Sequence, residues 1–186
     1  MGDYVSRGGD KLEFALRELG VDVTGRTAAD LGSHVGGFVD CLLRHGAAKV
    51  YAVDTGYGTL AWPLRQDPRV VVMERTNALH VRLPEKVEVV TIDVGWTRQG
   101  YILPRALELV GADGVILSLL KPQYEAEARE VRRGVVPAEV ARAVAVRVME
   151  KLAASGIRVA RWAESPLAGG KGNREFFLIV QAAIGA

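Results

Sequence analysis

The 186 residues hold a single cysteine, Cys41, so no disulfide can close within the chain. It falls in a helical pattern behind a glycine turn, which reads as a small buried side chain rather than a nucleophile. No apolar run approaches the roughly 20 residues that cross a bilayer. The opening Met1-Gly2-Asp3-Tyr4-Val5-Ser6-Arg7 lacks the apolar stretch of a secretory signal. Histidine and cysteine form no cluster at metal-ligand spacing, so no metal is expected. Neither sign of charge dominates: 24 Lys and Arg face 22 Asp and Glu, and a net +2 is too mild to establish a nucleic-acid partner. There is no internal repeat and no low-complexity linker. What remains is one cytoplasmic domain over residues 1–186, whose 49% hydrophobic and 25% charged residues are ordinary for an α/β protein.

Apolar strand-like runs alternate with helical patterns, which predicts a mostly parallel sheet covered by helices on both faces. Strands are expected at 27–31, 50–53, 70–73, 87–92 and 115–120. Helices are expected at 11–19, 37–45, 60–66, about 101–110 and 138–154, with a polar stretch over 121–134. Two closing strands, 158–162 and 176–181, should form an antiparallel hairpin that completes a seven-stranded sheet.

The most informative segment is Asp30-Leu31-Gly32-Ser33-His34-Val35-Gly36-Gly37-Phe38, a strand end, a glycine turn and a helix start. Gly32 lets the chain bend, while Gly36 and Gly37 let ligand and neighbouring backbone come close. Asp54 follows Asp30 by about 24 positions and closes the next strand, where an acid can take the hydroxyls of a ribose. The glycine order is G-x-x-x-G-G rather than the dinucleotide G-x-G-x-x-G, which tilts the cofactor from NAD toward S-adenosylmethionine.

Ligands in open α/β sheets sit beyond the carboxyl ends of the strands. Asp30, Asp54, Asp93 and Lys121 all end strand runs, although any single Asp there could cap a helix or turn. Lys121 follows an apolar strand, where burial and nearby carboxylates such as Asp93 and Glu175 can tune it for proton handling or for binding an oxygen anion. Glu175 lies beside the glycine loop 169–173. Lys11, by default, is a helix-surface lysine. Arg129, Arg132 and Arg133 form one basic cluster, and Lys171 and Arg174 form another. Trp96 and Tyr124 read as packing against their neighbours ahead of stacking on a base.

The segments 6–12 (Ser-Arg-Gly-Gly-Asp-Lys-Leu), 30–38, 53–58, 74–77, 120–125 and 172–176 resemble, in order along the chain, the TlyA family of FtsJ-type ribose methyltransferases, often named hemolysins. The resemblance implies a Rossmann-like class I methyltransferase and a catalytic tetrad of Lys11, Asp93, Lys121 and Glu175. It implies S-adenosylmethionine at Asp30, Gly32, Ser33, Gly36, Gly37, Phe38 and Asp54, with Thr55 and Asn77 beside the nucleoside. The implied acceptor is a ribose 2′-hydroxyl in ribosomal RNA or ribosomal subunits, and on that reading Arg7 and the two basic clusters, Arg129, Arg132 and Arg133 with Lys171 and Arg174, are the residues expected to face the RNA. Family members begin with a small RNA-binding domain ahead of the Ser-Arg-Gly-Gly segment, near which this chain starts. Where the family has Asp-Val-Ser-Phe-Ile-Ser, this chain has Asp93-Val94-Gly95-Trp96-Thr97-Arg98. Three other readings stay open: a non-catalytic module that binds S-adenosylmethionine or RNA, a membrane-acting hemolysin, and an NAD-dependent oxidoreductase. No stable membrane association is expected.

Overall fold

The computed structural model describes residues 3–181. Among them lie the seven strands of one sheet, in the order β3-β2-β1-β4-β5-β7-β6. Strands β1 (Thr27–Leu31), β2 (Lys49–Val53), β3 (Val70–Met73), β4 (Val87–Ile92) and β5 (Val110–Leu120) pair in parallel. Strand β7 (Phe176–Gln181) runs antiparallel between β5 and β6 (Val159–Glu164), so the expected closing hairpin does complete the sheet.

Alternation along each strand sends side chains into two cores. Ala28, Val50, Val89, Leu117 and Phe177 pack against α1 (Arg7–Glu18), α2 (Gly37–Arg44) and α3 (Trp62–Gln66). Ala29, Tyr51, Val90, Ile116 and Phe176 face α4 (Gln99–Leu109) and α6 (Ala138–Ala154). Burial on both faces is why the strands read as nearly continuous apolar runs. Cys41 is buried in the first of these cores, as its position suggested.

Several boundaries differ from the sequence expectation; β5, for one, begins at Val110 instead of 115, and α4 ends at Leu109 just before it. Helix α1 begins at Arg7, four residues early, because Ser6 caps it: the Ser6 hydroxyl accepts from Gly8 N at 3.3 Å. Gly8 and Gly9, which look like loop, are helical and let Tyr4 and α2 come close. The polar stretch after β5 is not all loop, since it forms α5 (Pro122–Glu125) and a short 3-10 turn, Ala128–Glu130.

Candidate active site

The glycine turn hangs on the end of β2. Gly32 N and Ser33 N both donate to Val53 O, at 2.9 and 3.0 Å, and His34 N donates to Asp54 Oδ2 at 2.8 Å. The other oxygen of Asp54 accepts from Gly56 N at 2.7 Å. Gly32 has φ +91°, and a Cβ there would stand 2.6 Å from Asp93 O, so no other residue fits without a shift. Gly36 and Gly37 serve packing. A Cβ on Gly36 would collide with Leu60 and Leu64, and one on Gly37 with Ser6 and the backbone of α1.

Two cavities open along this rim. The larger, about 400 Å³, is lined by Gly32, His34, Asp54, Thr55, Asn77 and Asp93, and also by Lys121 and Trp96. The smaller, about 210 Å³, lies between the glycine turn and α1 and includes Arg7, Lys11, Asp30, Ser33, Gly37 and Phe38. Gly32, His34 and Asp93 line both. Of the expected cofactor residues only Gly36 lines neither, because its α-carbon faces α3. Phe38 reaches the smaller cavity from the core, where its ring stacks on Phe177 at 6.1 Å.

Asp30 is fully buried. Thr91 Oγ1 donates to its Oδ1 at 2.7 Å, while Oδ2 has no partner among the described residues. Burial, seconded by the charges of Asp93 and Asp54 and opposed by the Thr91 hydroxyl, pushes its carboxyl up to about 8.

Lys11, Asp93, Lys121 and Glu175 come from α1, the end of β4, the end of β5 and the loop before β7, and they form two ion pairs. Lys121 Nζ lies 2.6 Å from Asp93 Oδ1, close enough for an ion pair but not aligned as a hydrogen bond. Lys11 Nζ donates to Glu175 Oε2 at 2.5 Å. Lys11 is 9% exposed and Glu175 2%, so the surface lysine of the default reading is a buried one, carried inward by the second turn of α1.

The basic clusters are both exposed. Asn173 ties the 131–136 turn to the glycine loop: its Oδ1 accepts from Val136 N at 2.9 Å and its Nδ2 donates to Gly134 O at 3.0 Å. That brings Lys171 beside the turn carrying Arg132 and Arg133. Arg129 and Arg174 are spent partly on Glu127 and Glu164, each at 2.9 Å. Trp96 tilts against Tyr124, with ring centroids 5.8 Å apart, yet remains 85% exposed. Packing therefore covers little of its ring. Sequence reasoning missed Ser6, His34 and Asn173. The cap position of Ser6 just before the helix was a usable signal, whereas the backbone contact of His34 had none.

The chain is 45% identical over 183 residues to the candidate rRNA methyltransferase YqxC of Bacillus subtilis, covering 94% of this chain and 64% of that protein. It is 41% identical over 182 residues to the 16S/23S rRNA (cytidine-2'-O)-methyltransferase TlyA of Mycobacterium tuberculosis, covering 94% of this chain and 67% of that one. The chain thus spans about two thirds of the length of these relatives. The crystal structure of a candidate hemolysin from Lactococcus lactis superimposes with a TM-score of 0.91 at 37% identity, covering 97% of this chain and 89% of that one. Residues 4–182, from just ahead of α1 to past β7, match the profile of the FtsJ-like methyltransferases. The chain belongs to the FtsJ-like methyltransferase family.

Proposed function

We propose that this chain binds S-adenosylmethionine and directs its methyl group to a ribose 2′-hydroxyl of ribosomal RNA, work that belongs in the cytoplasm. The observation that carries the reading is Asp93, which lines both cavities and pairs with Lys121. It joins a place for the cofactor to a place for the acceptor.

The residues present suit the cofactor. Each oxygen of Asp54 has taken one backbone N–H and keeps a lone pair for a ribose hydroxyl. The unbonded Oδ2 of Asp30 suits the ammonium of the methionine part, whose charge would draw the buried carboxyl back to its ionised form, and the bare α-carbon of Gly32 leaves room between the cavities. When bound, S-adenosylmethionine supplies an electrophilic methyl group on a positively charged sulfur.

The chain's own residues align and deprotonate the acceptor. Ribose hydroxyls are weak acids, so the oxygen must be held in line and relieved of its proton. To act, the Lys121 ammonium paired with Asp93 first releases a proton to solvent, and its Nζ then takes the proton of the acceptor hydroxyl. Asp93 then holds the resulting ammonium. Lys11, fixed by Glu175, steadies the ribose or its phosphate. Arg7, Arg132, Arg133 and Lys171 offer charge to the backbone, and the open ring of Trp96 offers a face to an unstacked base.

The test is incubation with labelled S-adenosylmethionine and ribosomal subunits, followed by mapping of methylated riboses. Transfer to a 2′-oxygen that Lys121→Ala abolishes is the expected result. Binding without transfer would favour the non-catalytic module, which the altered segment 95–98 keeps in view. Tight NAD binding without S-adenosylmethionine binding would end the methyltransferase reading. No helix among the described residues is long and apolar enough to cross a membrane, so nothing here favours the membrane-acting reading.

A further inference from the structure

Behind the Lys121–Asp93 pair, Gln99 is 2% exposed and Ser118 fully buried. Ser118 Oγ donates to Gln99 Oε1 at 2.6 Å, which fixes the amide so that Nε2 points to Leu119 O at 3.4 Å. The backbone N–H of the same residue donates to Glu125 Oε1 at 2.6 Å. This N–H opens α4 and has no partner within its helix, and Arg98 at the cap position supplies no side-chain bond. Glu125 fills that place from another element.

Residue 99 therefore grips the chain on both sides of Lys121: at Ser118 and Leu119 before it and at Glu125 after it. It also ends the segment 94–98 that leaves Asp93. The end of β5, which carries Lys121, is thereby tied through one residue to the start of α4, six positions after Asp93. Buried amides cost stability unless bonded, and a Leu or Met would fill the same space without that demand.

We infer that Gln99 is a positioning residue: it sets where Lys121 stands relative to Asp93 and the acceptor oxygen. The inference rests on the reading of Lys121 as the residue that handles the acceptor's proton. Removing the amide leaves the cofactor residues untouched but lets the Lys121 segment move, and a misplacement of about 1 Å at the reacting atoms can cost on the order of 100-fold in rate.

The test is Gln99→Met, which keeps volume and the backbone bond to Glu125 while deleting both side-chain bonds. Ser118→Ala is the milder second variant, used alone if Gln99→Met does not fold. Two readouts are taken on the full chain. With labelled S-adenosylmethionine and ribosomal subunits, kcat falls roughly 10-fold or more while KM for RNA and Kd for S-adenosylmethionine stay within about twofold. Independently of activity, limited acylation read by mass spectrometry labels Lys121 several times faster than in the parent, with Lys11 as the internal control. A general loss of packing would instead lower cofactor affinity and loosen both lysines together. Unchanged kcat and unchanged Lys121 labelling in a folded variant would overturn the inference. Should the parent chain itself transfer no methyl group, the reading of function fails, and the labelling ratio still decides whether Gln99 holds Lys121.

Discussion

The proposed cofactor side and the proposed acceptor side of the rim are built differently. On the cofactor side the backbone does the holding: three successive N–H groups of the glycine turn bond to Val53 and Asp54. On the acceptor side the holding falls to side chains, in two ion pairs and the Gln99 cluster, drawn from segments far apart in the chain. A backbone cradle suffers from an added atom. A constellation of side chains suffers from a lost one.

The sharpest way to part the two sides is Lys121→Met. Turnover should fall by roughly 100- to 10,000-fold, the usual worth of proton transfer by a placed group, while calorimetry finds unchanged affinity for S-adenosylmethionine. A matching loss of cofactor affinity would merge the sides into one. Gly32→Ala works in the opposite sense by adding one carbon at φ +91° against Asp93 O. Cofactor affinity should drop about 10-fold or more, with a stability cost of roughly 1–3 kcal/mol from strain and overpacking, visible as a lower Tm. Normal affinity in that variant would mean that the cofactor does not pass over the turn.

Trp96→Ala tests the rim of the acceptor side. Its ring is 85% exposed, so Tm should hardly change, whereas affinity for single-stranded RNA should fall about 10-fold if a base stacks there. Equal affinities would leave the ring as packing for Tyr124. The last test reads stability rather than binding, in Asp30→Asn. With its carboxyl pushed up to about 8 by burial, the folded state keeps a proton that an unfolded Asp releases near 4. The stability tied to that proton is complete below pH 4 and is lost as pH rises toward 8. Asn carries no such proton, so the Tm difference between variant and parent should drift in the variant's favour from pH 5 to 8. Parallel curves would show that the buried acid is already ionised.

Much of the cofactor side was legible. Apolar runs marked β1 and β2, and φ +91° at Gly32 is what its glycine promised. Gly36 and Gly37 show the limit, since a glycine that admits a ligand and one that admits a helix look alike in one dimension. Gly8 and Gly9 masked the start of α1 for the same reason. On the acceptor side Asp93 and Lys121 stood out at strand ends and Glu175 beside its glycine loop, whereas Lys11 could be read only through the family motif. Lys11 on an amphipathic helix gives no local hint that its partner lies 164 residues away. Gln99 is a single polar residue at a helix start, and its burial depends on Ser118, which is hidden inside an apolar strand.

The Lys11–Glu175 pair also sets a timetable for synthesis. Residue 175 directly precedes β7, the strand that slots between β5 and β6. While the chain is still being made, the glycine turn and the first strands can pair, because their contacts are close in sequence. Lys11, by contrast, waits for its counter-charge until β7 has emerged, and β6 waits for its neighbour. The proposed acceptor side is therefore complete only when the sheet closes.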